Sequence, residues 1–357
     1  MKKALSSFEL SCVMEEMKSL QKGIIDSISM PDKKELYLGI HIAGQGKTYV
    51  RFIAGKVMHL AKTKKPVEKA LGFCQFLRKY LDQARIKKIE QVAGERVVVF
   101  YCDAKEGDLV LVIELYSKGN ILLLKDNVIL GCAENQEWKD RSVKSGQKYA
   151  LSEKPKFSGE LFEAISKKSK FESLVKMLAM ECGFGGVYAE ELCKRADMDK
   201  NMLPKNITDE EIKKIVLAWK KLLAEKIVGY CIYMDKVIID VTPLALAYYE
   251  GLDAKEFSTY SEALEFAWHQ EEEAPELANV RKKIEKLSVI IQEQEKNIVR
   301  WEKEVEESQK AGEYIYYNYM PIKDLLEKSK DAFGKNTQMP KEVKEVKRKE
   351  KKVIVEI

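Results

Sequence analysis

Four short segments between Phe73 and Asp126 constrain the fold of this chain most strongly. In order they read FCQFLRKYL, QVAGERVVVF, DLVLVIELYSKGN and ILLLKD. The last three are rich in β-branched and aliphatic residues and are separated by small turn formers, which is typical of consecutive strands of a β-meander. Basic residues lie among these runs, so we expect a sheet whose rim presents charge to an anionic partner.

The composition is that of a folded protein with locally segregated charge. Its 357 residues suffice for two or three cores. Charged residues make up 33% of the chain and hydrophobic residues 45%, which argues against disorder. The net charge is only +5, but basic runs at 62–65 and 167–170 contrast with the acidic run 271–273. Because phosphate binding depends on local clustering, the near-neutral total leaves nucleic-acid binding open.

Nothing in the sequence indicates a metal, cofactor or catalytic site. Seven cysteines are dispersed without a CxxC pair, which predicts reduced and buried thiols. Three histidines, His41, His59 and His269, are equally scattered. The first residues contain no apolar signal-peptide core, and no run of 18 apolar residues occurs. We therefore expect a cytoplasmic protein that is not an enzyme, needs no cofactor and contacts no membrane.

Periodicity divides the chain into four predicted regions of an α+β protein. A Ser-x-x-Glu capping box from Ser6 to Glu9 opens a first helix, and Pro66 opens a second that should reach about Ala84. The regions are a β-rich amino-terminal lobe at 1–155, a helical region at 156–226, a small α/β segment at 227–274 that completes the amino-terminal domain, and a coiled-coil arm at 275–357. Within them we expect strands at 23–30, 35–41, 48–54, 86–130, 227–234 and 237–241, and helices at 171–225, with interruptions, and at 261–270.

A long charged helix is predicted from Pro275 to about Lys310. Its apolar residues recur in steps of three, four and seven, which indicates a coiled-coil seam. The seam consists of Leu277, Val280, Ile284, Leu287, Ile291, Ile298, Trp301 and Val305. One helix of a two-stranded coiled coil is unstable alone, and the chain continues instead as a basic run at 341–352 and an apolar strand at 353–357. We therefore expect a truncated arm whose return helix lies beyond residue 357, and self-association through the seam remains an alternative.

A glycine-rich turn separates two further predicted helices, 171–181 and 187–196. The sequence from Gly183 to Ala189 resembles the turn of a helix-hairpin-helix. Glycines there permit positive φ, and the free amides at the start of the second helix can hold a phosphate. An ordinary helical hairpin is the alternative interpretation. The candidate phosphate-binding residues are Gly183, Gly185, Gly186 and Lys194.

Two charged positions in the meander allow two interpretations each. Glu95 and Arg96 precede a strand, where they form either a solvated edge or a site in which Arg96 reaches a phosphate or base edge while Glu95 orients it. Glu114 lies inside an apolar run. It either faces solvent by alternation or pairs with a cation such as Arg78 or Arg96.

Several motifs resemble, in the same order, those of one known family. They are Ser-Ser-Phe-Glu-Leu at 6–10, Leu-Arg-Lys-Tyr-Leu at 77–81, Glu-Leu at 114–115 with Gly-Asn-Ile at 119–121, Arg141 with Gly146 and Tyr149, and Gly-Gly-Val-Tyr-Ala-Glu-Glu at 185–191. The chain is similar over nearly its whole length to the amino-terminal NFACT-N domain and partial coiled coil of the RqcH/NEMF ribosome-quality-control family, also called fibronectin-binding protein A.

This resemblance implies a domain related in fold to the Fpg/MutM DNA glycosylases, with helix-hairpin-helix segments and a coiled-coil arm. It implies an adaptor that makes no bonds itself. Family members bind large ribosomal subunits obstructed by peptidyl-tRNA, recruit tRNA, typically alanyl-tRNA in prokaryotes, and promote untemplated tailing of the nascent chain. The RNA contacts are then expected at Glu95, Arg96, Arg78, Lys79, Glu114, Gly119, Asn120 and Arg141.

One position departs from the family pattern. The family's Asp-Arg pair, which matters for tail elongation, maps onto Glu95 and Arg96. The extra methylene of glutamate moves the carboxylate by more than about 1 Å, roughly one C–C bond. The resemblance therefore predicts ribosome binding more directly than it predicts tail elongation.

Two other classes of function compete with the adaptor. A DNA glycosylase or lyase follows from the related fold, but Met1-Lys2-Lys3 replaces the amino-terminal proline nucleophile of that chemistry. A fibronectin-binding adhesin requires secretion, and the first residues contain no secretion signal.

Overall fold

Nine antiparallel strands form one sheet in the computed structural model, which describes residues 4–67, 70–138, 141–151, 155, 157–273, 275–335, 343–347 and 352–355. The strands are β1 (Ile24–Asp32), β2 (Glu35–Ile42), β3 (Gly46–Ile53), β4 (Val57–Ala61), β5 (Arg85–Gln91), β6 (Val97–Ala104), β7 (Gly107–Glu114), β8 (Asn120–Lys125) and β9 (Val128–Cys132). Their order in the sheet is β4-β3-β2-β1-β5-β6-β7-β8-β9. The predicted meander corresponds to β5–β9 and is confirmed.

The sheet curls until its two halves meet. Phe52 in β3 and Phe100 in β6 pack edge to face with ring centroids 5.7 Å apart, although β2, β1 and β5 separate these two strands in the sheet. After β3, the amide of Gly55 donates to the carbonyl of Glu114, the last residue of β7, at 3.2 Å. A large core therefore lies between the two halves.

Alternation along the strands separates this large core from a second, smaller one. Val98 and Phe100 of β6 face the large core, whereas Val97 and Val99 face the small one. Successive side chains of a strand point to opposite faces of the sheet, so both faces of β6 are covered. This explains why the central meander strands read as nearly continuous apolar runs.

Seven helices are described in the amino-terminal unit, residues 1–273. They are α1 (Ser7–Glu16), α2 (Gly72–Leu81), α3 (Gly159–Lys168), α4 (Leu174–Met180), α5 (Gly185–Arg195), α6 (Asp209–Leu223) and α7 (Tyr260–Glu273). The large core collects Phe8 of α1, Phe162 of α3, Tyr188 of α5 and Tyr260 of α7. The three regions predicted before residue 275 therefore share one core.

The capping box of α1 is confirmed. The Ser6 hydroxyl accepts a hydrogen bond from the Glu9 amide at 3.2 Å, and the Glu9 carboxylate accepts one from the Ser6 amide at 2.7 Å. Two orphan donors of the helix end are thus satisfied reciprocally.

The predicted start of the second helix at Pro66 is wrong, because α2 begins at Gly72. Two lysines just before the predicted start are tied to other elements. Lys62 pairs with Glu262 of α7 at 2.9 Å, and Lys65 pairs with the buried Glu35 of β2 at 3.1 Å. These ion pairs join residues distant in sequence and were not visible in the local pattern.

Five further strands complete this unit. They are β10 (Gln136–Trp138) and β11 (Arg141–Val143), which pair as a hairpin, and β12 (Gly229–Met234), β13 (Val237–Thr242) and β14 (Asp253–Phe257), in the order β13-β12-β14. The β12 and β13 predictions are confirmed. The hairpin and β14 were missed because these segments are short and polar and lack strand periodicity.

The second unit, residues 274–357, begins with a long helix. It comprises α8 (Pro275–Tyr317), α9 (Tyr319–Lys335), and the antiparallel pair β15 (Val343–Lys347) and β16 (Lys352–Val355). The helix thus extends past the predicted end at Lys310, and the basic run contains a strand that was not predicted. Amides of Asn318 and Ile322 bond to the carbonyls four residues earlier, each at 3.0 Å, so α9 continues α8 instead of returning along it.

Part of the predicted seam can be examined on α8. Its described members are exposed: Ile284, Leu287, Ile291, Ile298, Trp301 and Val305. The side chains of Leu277 and Val280 lie outside the described residues. None of the helices in the described ranges has both the length and the apolarity needed to cross a bilayer.

Candidate nucleic-acid interface

One end of the curled sheet brings together turns that are far apart in sequence, and we call it the closed end. The turn after β3 provides two of its backbone bonds: the Leu5 amide donates to the Lys56 carbonyl at 2.9 Å, and the Gly55 amide donates to the Glu114 carbonyl. The Leu115 amide in turn donates to the Arg96 carbonyl at 2.8 Å. The start of α1, the β3–β4 turn and the β5–β6 turn therefore meet at the end of β7.

Gly119 makes this meeting possible. Its φ is +66°, in the region that favours glycine, and a Cβ at this position would lie 1.9 Å from the Gly55 nitrogen. Two turns thus pass each other backbone against backbone. Gly119 was predicted as an RNA contact, and the structure gives it a packing role at the closed end.

Glu95 and Arg96 lie at the closed end beside the start of α1. The Gln91 side-chain amide donates to the Glu95 carbonyl at 2.8 Å and to the Ser7 carbonyl at 2.9 Å. Arg96 Nη1 donates to the Leu5 carbonyl at 3.4 Å. Burial lowers the pKa of the Arg96 guanidinium, and the neighbouring Glu95 carboxylate opposes that shift; arginine nevertheless stays charged at neutral pH. The predicted pair is thus held in place by its backbone, with a charged guanidinium at the edge.

Glu114 pairs with a cation, but the cation is Arg141, not Arg78 or Arg96. Only 1% of the Glu114 side chain is exposed, and Arg141 Nη2 donates to its Oε1. Val97 is its directly paired neighbour on β6, so both point to the same face of the sheet and Arg96, one residue earlier, points to the other. Local spacing could not distinguish these cations, because Arg141 arrives on a separate hairpin.

Two tyrosines complete the surroundings of Glu114. The hydroxyls of Tyr149 and Tyr116 donate to its Oε1 at 2.7 and 3.1 Å. Burial, together with the Glu114 charge, raises the pKa of Tyr116 to about 12 and raises that of Tyr149 as well. Burial alone would lower the pKa of Arg141, but the hydrogen bond that it donates to Glu114 and the negative charge of Glu114 together raise it. The raised pKa values keep the Arg141 guanidinium charged and both phenols protonated at neutral pH.

Asn120 and the β10–β11 hairpin extend from the closed end. Asn120 is buried, and its side-chain amide donates to the Glu134 carbonyl at 2.8 Å. Gln136 of β10 donates to the Gly119 carbonyl at 2.8 Å. The structure thus gives Asn120 an internal role, and it places the hairpin next to the closed end.

Three lysines at this end were not predicted as site residues. Lys34 Nζ donates to the Lys118 carbonyl at 3.2 Å and lies 3.6 Å from a carboxylate oxygen of Glu134. Lys56 and Lys118 are exposed, and each is adjacent to one of the two glycines that touch. A lysine next to a turn glycine was the only local signal for them, since their proximity depends on the curl of the sheet.

Arg78 and Lys79 lie on α2, away from these turns. Arg78 Nε donates to the Ile28 carbonyl in the middle of β1 at 2.8 Å, and the Lys79 ammonium lies 5.2 Å from the ring centroid of Tyr80. Both side chains are exposed. They form a separate basic feature on the helix that packs against β1.

The glycine turn has the predicted backbone. Gly183 and Gly185 both have φ of +76°, and a Cβ on Gly183, Gly185 or Gly186 would meet no atom within 4 Å. Lys194 lies at the opposite end of α5, where its Nζ contacts Glu250 at 2.7 Å. The structure therefore does not bring Lys194 together with the three glycines.

Three other residues of the Gly-Gly-Val-Tyr-Ala-Glu-Glu motif are buried: Tyr188, Ala189 and Glu191. Tyr188 donates to Glu9 of α1 at 2.9 Å. Glu191 accepts hydrogen bonds from the Ala247 and Tyr248 amides at 3.1 and 2.8 Å. These two residues anchor α5 to its neighbours. Among the residues that the structure describes, no group of three or more metal-ligating side chains is assembled.

Comparison with known proteins gives a consistent result along the chain. A family model described as NFACT N-terminal and middle domains matches residues 6–356. The archaeal Rqc2 homolog aRqcH of Methanocaldococcus jannaschii is 30% identical over 355 residues, which cover 93% of this chain and 53% of that protein. A Drosophila melanogaster protein named ribosome quality control complex subunit NEMF homolog is 24% identical over 226 residues, 60% of this chain and 22% of that protein. The chain spans about half the length, or less, of these relatives.

Solved structures with the same fold are also found. The N-terminal part of the fibronectin/fibrinogen-binding protein of Streptococcus suis matches with a TM-score of 0.60 and 19% identity, over 75% of this chain and 100% of that one. This likeness establishes the fold alone, and the predicted α+β class with a large sheet and a long helix is confirmed. MutM (Fpg) of Thermus thermophilus is a further neighbour, with a TM-score of 0.33 that supports no argument.

Proposed function

This chain belongs to the NFACT family, the ribosome-quality-control family of RqcH and NEMF, and from that membership we propose that it is a cytoplasmic RNA-binding adaptor. It binds obstructed large ribosomal subunits together with tRNA and promotes untemplated tailing of the stalled nascent chain. Its contribution is binding and positioning, and bond formation is left to the ribosome. The name of the Drosophila relative, a subunit of a ribosome quality control complex, supports this assignment.

The observation that carries the proposal is the concentration of cations at the closed end. Arg96 is held there by the Leu5 carbonyl, and the exposed Lys56 and Lys118 lie on turns that touch through Gly55 and Gly119. Cations clustered on fixed turns neutralise several phosphates of one RNA backbone at once. Because the turns are already fixed, binding has to order only the side chains of these cations. A net charge near zero does not oppose this, because binding depends on the local field.

Sequencing of the RNA that co-purifies with the chain tests the proposal. We expect tRNA and large-subunit rRNA to be enriched over total cellular RNA. Recovery of RNA in the proportions of the cell, or of no RNA, would reject the adaptor assignment. The same purification separates it from a DNA glycosylase, which would retain abasic DNA after borohydride treatment.

A matched pair of arginine variants tests the closed end itself. Arg96→Gln should weaken tRNA binding, whereas Arg85→Gln should leave it unchanged. Arg85 is an exposed arginine whose β-pairing partner, Asp103, lies at the far end of β6. Six residues of strand separate Asp103 from Val97, roughly 20 Å. Equal effects of the two substitutions would show that binding does not depend on the closed end.

Tail addition is a separate part of the proposal. In cells, Arg96→Ala should abolish untemplated tails while association with the large subunit persists. Glu95→Asp, which restores the residue pair expected for the family, should retain tails at least at the wild-type level. Tails at the wild-type level in the Arg96→Ala strain would show that this site has no role in tail addition.

A further inference from the structure

We propose that Trp138 and Arg141 form a stacking platform for one unpaired nucleobase, next to the closed end. This inference rests on the proposed RNA-binding function and adds the class of RNA that the site selects. An RNA that presents an unstacked base in a loop or at an end can use the platform, whereas a continuous duplex cannot.

The hairpin holds the two side chains together. Trp138 of β10 and Arg141 of β11 are directly paired across the strands, and the Arg141 guanidinium lies 5.6 Å from the Trp138 ring centroid. Directly opposed residues in an antiparallel pair share one face. Arg141 therefore covers part of the indole and fixes its orientation.

Arg141 is itself fixed from the core side. It donates to the buried carboxylate of Glu114, and its guanidinium lies 5.7 Å from the ring centroid of Tyr116 and 5.4 Å from that of Tyr149. Nη1 and Nη2 thus donate inward, to the Tyr116 hydroxyl and to Glu114, and the plane of the guanidinium offers a flat, charged surface. About a third of the side chain, 32%, stays exposed for that purpose.

Trp138 provides the open surface. Forty per cent of the residue is exposed, whereas Val143 on the same hairpin is buried in the small core. A purine or pyrimidine ring fits this surface better than an aliphatic side chain does. The base stacks face to face on the indole, and the neighbouring guanidinium adds cation–π attraction.

The platform also lies within reach of the phosphate contacts. Gln136, two residues before Trp138, donates to the Gly119 carbonyl at the closed end. Two residues along a strand span about 7 Å, close to the spacing between adjacent phosphates of an extended strand. One RNA strand can therefore place a phosphate near Lys118 and the neighbouring base on Trp138.

Tryptophan fluorescence of the whole chain reports directly on this contact. Titration with a single-stranded oligoadenylate should quench the emission, and the quenched part should disappear in Trp138→Phe. That variant keeps an aromatic surface and should bind within about twofold of the wild type. Trp138→Leu should lower the affinity about tenfold, in line with the roughly 1–3 kcal/mol that one stacked base contributes.

The outcomes separate the inference from the proposed function. A duplex RNA of the same length should bind without quenching and with equal affinity for wild type and Trp138→Leu. If the wild type binds tRNA but Trp138→Leu binds the single strand as well as wild type does, the platform is rejected and the adaptor stands. If the wild type binds no RNA, the proposed function itself fails. Unchanged urea unfolding of Trp138→Leu establishes that any loss is not one of folding.

Discussion

The Tyr188 hydroxyl donates a hydrogen bond to Glu9 Oε1 at 2.9 Å, and this contact joins the first motif of the chain to the glycine-hairpin motif 179 residues later. Both residues are essentially inaccessible to solvent, and Phe8 packs against the Tyr188 ring with centroids 4.9 Å apart. The same Glu9 carboxylate caps α1, whose start borders Arg96. The two motifs thus hold the helix that shapes one side of the closed end.

Removing the Tyr188 hydroxyl should therefore destabilise the fold. Tyr188→Phe leaves the buried Glu9 carboxylate one donor short, which costs about 1–3 kcal/mol of the free energy of unfolding. Urea denaturation measures the loss. Tyr248→Phe is the control, since that residue is 46% exposed and the substitution should change stability by less than about 0.5 kcal/mol. Equal stability of the two variants would contradict the structural role of the Tyr188–Glu9 bond.

Gly119→Ala should have a much larger effect than an alanine at another positive-φ glycine. A Cβ at Gly119 overlaps the Gly55 backbone, so the two turns must separate, and we expect a loss of roughly 4 kcal/mol or failure to fold. Gly44→Ala is the matched control, with φ of +77° and no atom within 4 Å of the added Cβ. It should cost only the strain of about 1–2 kcal/mol. Thermal or urea unfolding of both variants decides between packing and backbone strain.

A double-mutant cycle tests the Glu114–Arg141 pair. Glu114→Gln leaves Arg141 without its anionic partner and should cost about 3 kcal/mol, because a buried charge pair is broken from one side. Arg141→Gln leaves the buried carboxylate and should be similarly costly. The double variant Glu114→Gln/Arg141→Gln should be less destabilised than the sum of the two. Additive losses in urea unfolding would show that the two side chains act independently.

Stability should decline at alkaline pH because the cysteine thiols are protonated in the fold. Burial raises the pKa of Cys102 and Cys231 to about 12, from an ordinary value of 9.0. A thiol whose pKa is raised by folding contributes its full stabilisation below the pKa that it has in the unfolded chain. That contribution is lost as the pH rises toward the pKa that the thiol has in the folded protein. Each such thiol gives up to about 1.4 kcal/mol per pH unit above pH 9.

Urea unfolding between pH 7 and pH 10 measures this dependence. The contribution of these two thiols to the free energy of unfolding should be constant up to about pH 8 and should fall above pH 9. In Cys102→Ala/Cys231→Ala the fall should be shallower, whatever the change in absolute stability. A slope identical to that of the wild type would contradict the assigned protonation states.

The closed-end lysines should contribute to the salt dependence of RNA binding. Lys56→Gln/Lys118→Gln should reduce the slope of log K against log salt by roughly 1.5, because each lost phosphate contact removes about 0.7–0.9. Filter binding at several potassium concentrations measures the slope. Lys213→Gln/Lys220→Gln, two exposed lysines of α6, is the charge-matched control and should leave it unchanged. Equal reductions would indicate that only the total charge matters.

Local features were readable from the sequence wherever the cause is local. The capping box of α1, the meander of β5–β9 and the positive φ at Gly183 and Gly185 depend on residues within a few positions of one another. The start predicted for α2 was wrong, since the helix begins at Gly72, and Lys65, next to the predicted start, is held by Glu35, 30 residues away. The periodicity of apolar and polar side chains carries no information about a contact between residues so far apart in the sequence.

The sequence by itself thus determined the long, strongly periodic elements, such as α1 and the meander β5–β9, and where the charged and glycine-rich turns occur, because hydrogen-bonding periodicity and turn chemistry are short-range properties. Only the tertiary structure decided which of them meet. The curl of the sheet brings Gly55 against Gly119 and places Lys56 and Lys118 on adjacent turns. It also pairs Glu114 with Arg141, whereas Arg96 lies on the opposite face of the sheet. Pairings of this kind depend on sheet curvature and long-range packing, which no local run of residues specifies.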